Sequence, residues 1–394
     1  MSMSAVSALR RPFASALLAA SLGLSLVVPA QAQSPLPAPD IAARAWFLID
    51  VTTNTVLYSQ MPDERVEPAS LTKLMTAYLV FGALRDNRLN LETRPPVSQK
   101  AYKAIGSRMF VDPRVPASVD ELLHGLIIQS GNDAAIILAE AVAGSEEAFA
   151  EQMNAEARRL GMKNTHFVNA SGLPAPNHYS SARDLALLST HLIKEFPGYY
   201  KLYAEKEYTF NGVRQANRNR LLFIDPSVDG VKTGHTDAAG YCLIASSRRE
   251  QPGTGFSRRV LSVLLGAGSE AARATESQKL LNYGFQNFEV LSLYRKDEPV
   301  GRHPVWKGQK ATVAAGFAEN VLITAPRAQI DNIKGEIERT EPLVAPIQAG
   351  QRIGTLRIKL GDTVIAERPL EALETVEMAG WFKQTWDTIR LWIK

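Results

Sequence analysis

The chain has 394 residues, 45% hydrophobic and 21% charged, an ordinary globular composition that excludes a wholly disordered, collagen-like or disulfide-stapled protein. Its 44 basic and 40 acidic residues leave a net charge of only +4, a small surplus and not a basic face, which argues against nucleic acid as a partner. The one cysteine, Cys242, permits neither an internal disulfide nor a cysteine-rich zinc site; in the apolar run Tyr241-Cys242-Leu243-Ile244-Ala245 it reads as a buried structural thiol.

Arg10 and Arg11 precede an apolar stretch from Phe13 to Val28, and Pro29 leads into Ala30-Gln31-Ala32. This pattern predicts a secretory signal peptide over residues 1–32, cleaved after Ala32, because the stretch is short and serine-diluted against the roughly 20 apolar residues of a bilayer span. Its removal takes away two arginines and no acids, leaving +2. Residues 33–40 are a proline-rich lead-in that cannot pack as a helix or central strand.

Ala45–Asp50 and Val56–Ser59 alternate like two short strands around Thr52-Thr53-Asn54, a hairpin. From Ala69 to Leu84 the pattern turns helical, with Leu71, Leu74, Met75, Tyr78 and Leu79 on one face. Ser118–Glu121 is a capping box before Leu122, Leu123, Leu126 and Ile127, and a second helix, Ala134–Val142, follows at once. Ser130-Gly131-Asn132 is therefore the turn between two apolar helices. Glu146–Leu160 continues helical to Gly161, and Ser181–Asp184 reads as another capping box opening a helix through Ile193. Strands are then expected at Val231–His235, Tyr241–Ser246 and Arg259–Leu265, with a last helix over about 271–283.

A strand pair, a run of helices and a return to strands predict an α+β domain, an antiparallel sheet shared by terminal segments around a helical cluster. Beyond Leu291, short β-like runs such as Ala311–Ala314, Val321–Thr324 and Gly354–Lys359 alternate with Gly and Pro turns, as in a small all-β domain. At the end, Met378, Trp381, Phe382, Trp386, Ile389, Trp392 and Ile393 recur every three to four residues, with Lys383, Asp387, Arg390 and Lys394 opposite. Three tryptophans and a basic polar face at a chain end predict an interfacial helix on an anionic membrane surface. The expected division is 41–290 for the α+β domain, 291–375 for the all-β domain and 376–394 for the membrane-anchoring helix.

Ser70-Leu71-Thr72-Lys73 places a hydroxyl and an amine one turn apart on one helix face. A lysine can serve as the base for a serine nucleophile once burial and neighbouring positive charge favour its neutral form. The helix start adds N–H donors for an oxyanion. Ser130-Gly131-Asn132 offers a second hydroxyl and a carboxamide, and Lys232-Thr233-Gly234 opens a strand whose glycine lets a substrate backbone lie close. His124, His166, His178, His191 and His303 have no metal-ligand spacing, so no metal or other cofactor is expected. No serine sits in a Gly-x-Ser-x-Gly elbow, and Gly266-Ala267-Gly268 lacks the third glycine of a dinucleotide loop.

Ser-x-x-Lys, Ser-x-Asn and Lys-Thr-Gly in that order, with the string from Val228 to Tyr241 and Ser171-Gly172-Leu173, resemble the low-molecular-mass penicillin-binding proteins that act as D-alanyl-D-alanine carboxypeptidases. The resemblance spans nearly the whole chain. It implies a β-lactamase/transpeptidase-like catalytic domain, Ser70 as acylated nucleophile, Lys73 as general base and Ser130 as proton relay. Asn132, Lys232, Thr233 and Gly234 would bind substrate, the N–H groups of Ser70 and His235 would form the oxyanion hole, and Arg218 and Arg273 match arginines near the substrate carboxylate. It further implies peptidoglycan stem peptides as substrate, β-lactams as inhibitors and a periplasmic place on the outer face of the inner membrane. Two alternatives stand beside it. A class A β-lactamase would need a Glu-x-x-Leu-Asn segment between the second and third motifs, which is missing here; a peptidoglycan-binding or shape-maintaining protein would show little turnover.

Overall fold

A computed structural model describes residues 36–251 and 256–393; the expected signal peptide and the first residues of the lead-in lie outside them. The expected hairpin forms from strands β1 (Ala45–Asp50) and β2 (Thr55–Gln60). Its turn is set by Asp50, whose Oδ1 accepts the N–H groups of Thr52 at 2.9 Å and Thr53 at 3.2 Å, and by Asn54, which takes the left-handed φ of 57° that asparagine tolerates.

A 3₁₀ turn, Ala69–Thr72, then runs into helix α1 (Lys73–Arg85). The single apolar face read from the sequence proves too narrow, because from Lys73 to Tyr78 every residue is buried. The helix is apolar on nearly all sides and passes through the middle of the domain. Around it lie α2 (Gln99–Tyr102), α3 (Val119–His124), α4 (Asn132–Ala143), α5 (Glu146–Leu160), α6 (Ala182–Glu195) and α7 (Pro197–Tyr200). The capping box at Ser118 and Glu121 is present in both directions. The one expected at Ser181 is only half made: Ser181 caps the Asp184 N–H, but the Asp184 carboxylate turns instead to the Asn164 N–H and the Thr165 hydroxyl, both at 2.7 Å.

A hairpin that the periodicity did not suggest, β3 (Glu207–Phe210) and β4 (Val213–Ala216), turns on Asn211-Gly212, both with positive φ, the residue pair that a tight hairpin favours. A short helix, α8 (Leu221–Ile224), leads into β5 (Val228–Thr236), β6 (Gly240–Glu250) and β7 (Ser257–Ala267), followed by α9 (Glu270–Asn287). The sheet is antiparallel in the order β2-β1-β7-β6-β5, so the first strand sits between its hairpin partner and the last.

Asp50, fully buried, accepts from the Arg258 Nε at 2.5 Å, and Arg258 also donates to the Phe288 carbonyl at 2.7 Å. Removing one partner of such a pair strands a charge in the core. Asp50→Ala is therefore expected to destabilise the protein by about 3–5 kcal/mol, read from denaturant unfolding.

The remaining strands are β8 (Phe288–Tyr294), β9 (Gly301–Pro304), β10 (Thr312–Gly316), β11 (Val321–Pro326), β12 (Ile333–Arg339), β13 (Arg352–Leu360) and β14 (Thr363–Ala372). They form a sheet of order β12-β13-β14-β10-β9 and the pair β11-β8, with Val313, Phe317, Ile353, Leu356, Ile358 and Leu370 in a separate core. The terminal helix α10 spans Trp381–Ile393. On the side opposite its apolar stripe it contacts the all-β segment, although Lys383 and Arg390 stay exposed. Lys383 donates to the Gly308 carbonyl at 2.6 Å, the buried Asp387 accepts from the Lys307 N–H at 2.8 Å, and Arg390 lies over the Trp306 ring. The exposed face carries Trp381, Phe382, Trp386, Ile389 and Trp392, the last 92% exposed. No helix among the described residues is long and apolar enough to cross a membrane.

Candidate active site

The three motifs come from distant parts of the chain. Ser70 stands in the 3₁₀ turn before α1, after Ala69, whose φ of 48° is left-handed. Lys73 opens α1 one turn later. Ser130, with φ 66°, ends a π turn (Gly125–Gln129) that continues α3, and Asn132 begins α4. Lys232, Thr233, Gly234 and His235 lie on β5, the sheet edge.

These residues meet in one open cleft of about 200 Å³, lined by Ser70, Ser130, Asn132, Arg218, Thr233, Gly234, His235 and Arg273 among others. Eight of the ten residues singled out from the sequence thus face one space. The other two, Lys73 and Lys232, are 1% and 3% exposed, each hydrogen bonded to a lining serine. Lys73 Nζ lies 3.1 Å from Ser70 Oγ, 2.7 Å from Asn132 Oδ1 and 2.5 Å from the Ser171 carbonyl. Lys232 Nζ lies 2.9 Å from Ser130 Oγ and 3.1 Å from the Thr233 carbonyl.

Burial, reinforced by the Arg218 charge and opposed by Asp133 and Glu146, lowers the Lys73 amine to about 7. That divides it between the free base that can take a proton from Ser70 and the ammonium that can return one. Lys232 is also held well below the ordinary lysine range, by burial first and then by the positive charges of Lys73, Arg218 and Arg273. Among the described residues no carboxylate lies within ion-pair distance of Lys73, Lys232 or Arg218, and Arg273 meets only Glu270, at 3.4 Å. A cleft with this cationic excess is complementary to an anionic end group.

Both arginines line the cleft. Arg218 donates to Ser107 Oγ at 2.8 Å, and Arg273, in the first turn of α9, reaches toward the Gly234 carbonyl at 3.5 Å. Arg218 is framed by two buried asparagines: Asn217 donates to the Glu205 carbonyl and Asn219 to the Gly230 carbonyl, both at 2.9 Å. Gly234 lines the cleft and carries a second constraint besides the expected one. A Cβ there would come within 3.1 Å of the Pro68 carbonyl and 3.3 Å of the Ala69 Cβ, so the bare backbone lets β5 close on the nucleophile's own turn.

Several supporting residues escaped the sequence reading. Asp133 accepts the N–H groups of Met109, Phe110, Val111 and Ala134, fixing the loop that carries Ser107 and the Ile105 carbonyl, which takes Asn132 Nδ2 at 2.7 Å. Asn169 Oδ1 accepts from Ser171 and Gly172 N–H. His178 is no ligand: its Nδ1 accepts from the Val168 N–H, so Nε2–H points to Thr72 Oγ1, and burial lowers it to about 4. Cys242 is buried and its thiol pushed up to about 11 by desolvation, as expected of an inert structural cysteine.

The chain matches the family model described as D-alanyl-D-alanine carboxypeptidase over residues 30–269, and the model of the penicillin-binding protein 5 C-terminal domain over residues 288–378. It is 43% identical over 369 residues to D-alanyl-D-alanine carboxypeptidase DacC of Escherichia coli (strain K12), covering 91% of this chain and 90% of that one. Penicillin binding protein 5 from Haemophilus influenzae is 37% identical with a TM-score of 0.80, covering 87% of this chain and all of that structure. Penicillin-Binding Protein D2 from Listeria monocytogenes in the ampicillin-bound form is 33% identical with a TM-score of 0.57, covering 64% of this chain and all of that structure.

Proposed function

Because the chain belongs to the D-alanyl-D-alanine carboxypeptidase family, we propose that it removes the terminal D-alanine from peptidoglycan pentapeptide stems through an acyl-enzyme on Ser70. The observation that carries this reading is the buried Lys73 amine, lowered to about 7 and 3.1 Å from the Ser70 hydroxyl. Lys73 takes the Ser70 proton as Oγ attacks the penultimate D-alanine carbonyl, and the oxyanion falls to the N–H groups of Ser70 and His235. Ser130, hydrogen bonded to Lys232, passes a proton to the departing D-alanine nitrogen. Asn132, Thr233 and Gly234 line the path of the peptide, and Lys232, Arg218 and Arg273 receive its terminal carboxylate. Water then hydrolyses the ester. β-Lactams enter the same sequence and stop at the acyl stage. Intact mass after benzylpenicillin is expected to show one adduct on the wild type and none on Ser70→Ala, together with D-alanine release from a stem pentapeptide by the wild type alone. No wild-type adduct, or an undiminished one on Ser70→Ala, overturns the reading.

In this reading residues 1–32 direct export to the periplasm, 41–290 form the enzyme, 291–375 a β spacer, and 376–394 attach it to the outer face of the inner membrane. The exposed Trp381, Phe382, Trp386 and Trp392 supply that attachment, and Lys383, Asp387 and Arg390 dock the helix on the β domain. Attachment therefore rests on apolar area more than on charge. Trp386→Ser is expected to weaken vesicle cosedimentation by about tenfold or more, while added salt changes it little.

A further inference from the structure

A neutral lysine amine has two hydrogens and one lone pair. For Lys73 to take the Ser70 proton, its lone pair must face Oγ while both hydrogens find acceptors elsewhere. Those acceptors are Asn132 Oδ1 at 2.7 Å and the Ser171 carbonyl at 2.5 Å. The aim of the base is thus set by how firmly the Ser171 carbonyl is held.

Residue 170, immediately before it, is gripped on both sides. Its carbonyl accepts from Thr76 Oγ1 on α1 at 2.7 Å. Its N–H donates to Glu146 Oε1 at 2.9 Å. Glu146 opens α5 and is only 5% exposed, and its other oxygen pairs with Lys100 Nζ at 2.8 Å. Lys100 is half exposed on α2 and also meets the surface carboxylate of Glu147 at 2.7 Å. Neither Glu146 nor Lys100 lines the cleft.

We infer that Glu146, paired with Lys100, is a positioning residue for the acylation base: by fixing the Ala170–Ser171 backbone it aims the Lys73 lone pair at Ser70. The inference rests on Lys73 being the base. It adds an electrostatic consequence. The charged groups acting on Lys73 are Asp133 and Glu146, which favour its ammonium, and Arg218 and Lys232, which oppose it. Glu146 is itself faced by Lys100, with Glu147 beyond. A negative charge on Glu146 raises the pH at which Lys73 becomes a free base. Lys100, positive and beyond Glu146, lowers it. Removing one member of the pair or the other shifts the base in opposite directions through their charges, whereas the loss of aim on releasing the loop lowers the plateau.

The test is the pH profile of the second-order acylation rate constant with benzylpenicillin, read as the position of the acid limb and the height of the plateau. Glu146→Gln keeps an oxygen for the Ala170 N–H and is expected to keep the plateau while its acid limb moves to lower pH. Lys100→Met is expected to move the limb to higher pH. Glu146→Ala, which releases the loop, is expected to lose about 10²-fold at the plateau, the size of effect that an ångström of misplacement produces. If Glu146→Ala does not fold, as judged by thermal unfolding, the two charge variants carry the test. Limbs that stay in place, or that move the same way in Glu146→Gln and Lys100→Met, overturn the inference, as does a folded Glu146→Ala with an undiminished plateau. Acylation retained in Lys73→Ala would overturn the assignment of the base instead.

Discussion

Replacing Lys73 by alanine is expected to lower the rate of Ser70 acylation by about 10²–10⁴-fold, the usual contribution of a positioned general base. In the wild type the same rate should rise with pH through a limb near 7. The sign follows from the chemistry: the reactive form is the neutral amine, burial and Arg218 favour it, and lowering the pH converts it to an ammonium that cannot accept the Ser70 proton. Stopped-flow acylation with a chromogenic β-lactam across the pH range measures both effects. A Lys73→Ala variant that acylates at the wild-type rate, or a wild-type profile flat between pH 5 and 9, would assign the base elsewhere. Lys73→Arg should behave like the alanine variant, because a guanidinium stays charged at any pH where the protein is folded.

Gly172→Ala is expected to be among the most damaging single changes in the chain. A Cβ at position 172 would lie 1.8 Å from the Ala69 carbonyl oxygen and 2.9 Å from Thr72 Oγ1, and the φ of 82° is one that an alanine adopts only with strain. The Cβ, fixed rigidly to its backbone, meets a backbone carbonyl at the nucleophile's own turn, so neither side can yield without moving Ser70. A loss of about 4 kcal/mol or more is expected, which for a domain of this size lowers the melting temperature by about 8 °C or more. Fluorescent-penicillin labelling at a temperature where the variant is still folded should also fall. A variant melting within a degree of the wild type would show that the segment relaxes freely.

Much of this was legible in the sequence because short-range chemistry encodes it. Asp50 and Asn54 specify a hairpin locally, Ser118 and Glu121 cap a helix locally, and Ser70 and Lys73 share one helix face by spacing alone. That Ser70, Ser130, Asn132, Thr233 and Gly234 line one cleft follows from three motifs whose residue types have few other reasons to be buried together, while Arg218, His235 and Arg273 were legible only through the family resemblance. Less legible was whatever depends on a distant partner. Asp133 looks like any acidic residue in a first helical turn until the N–H groups of 109 to 111 are folded onto it. Glu146 looks like an ordinary helix-start carboxylate until Ala170 arrives. The contacts that the polar side of the terminal helix makes with Lys307 and Gly308 are not legible either, because periodicity separates two faces of a helix without saying what a neighbouring segment touches. The second constraint on Gly234 is hidden for a related reason: the sequence shows that room is needed, and only the fold shows how closely Pro68 and Ala69 approach it.

The strand order places β1 between β2 and β7, so a segment near residue 45 pairs with one near residue 265. The helices between them can condense on local contacts, but the sheet cannot close until that last strand exists, and joining such distant segments is the slow part of folding. Lys232 reaches Ser130 across 102 positions of chain, and it does so only on β5, the far edge of that same sheet. Penicillin reactivity should therefore be among the last properties acquired during refolding, trailing the recovery of helical circular dichroism, and would report complete assembly of the sheet and not merely the presence of compact, helix-rich chains.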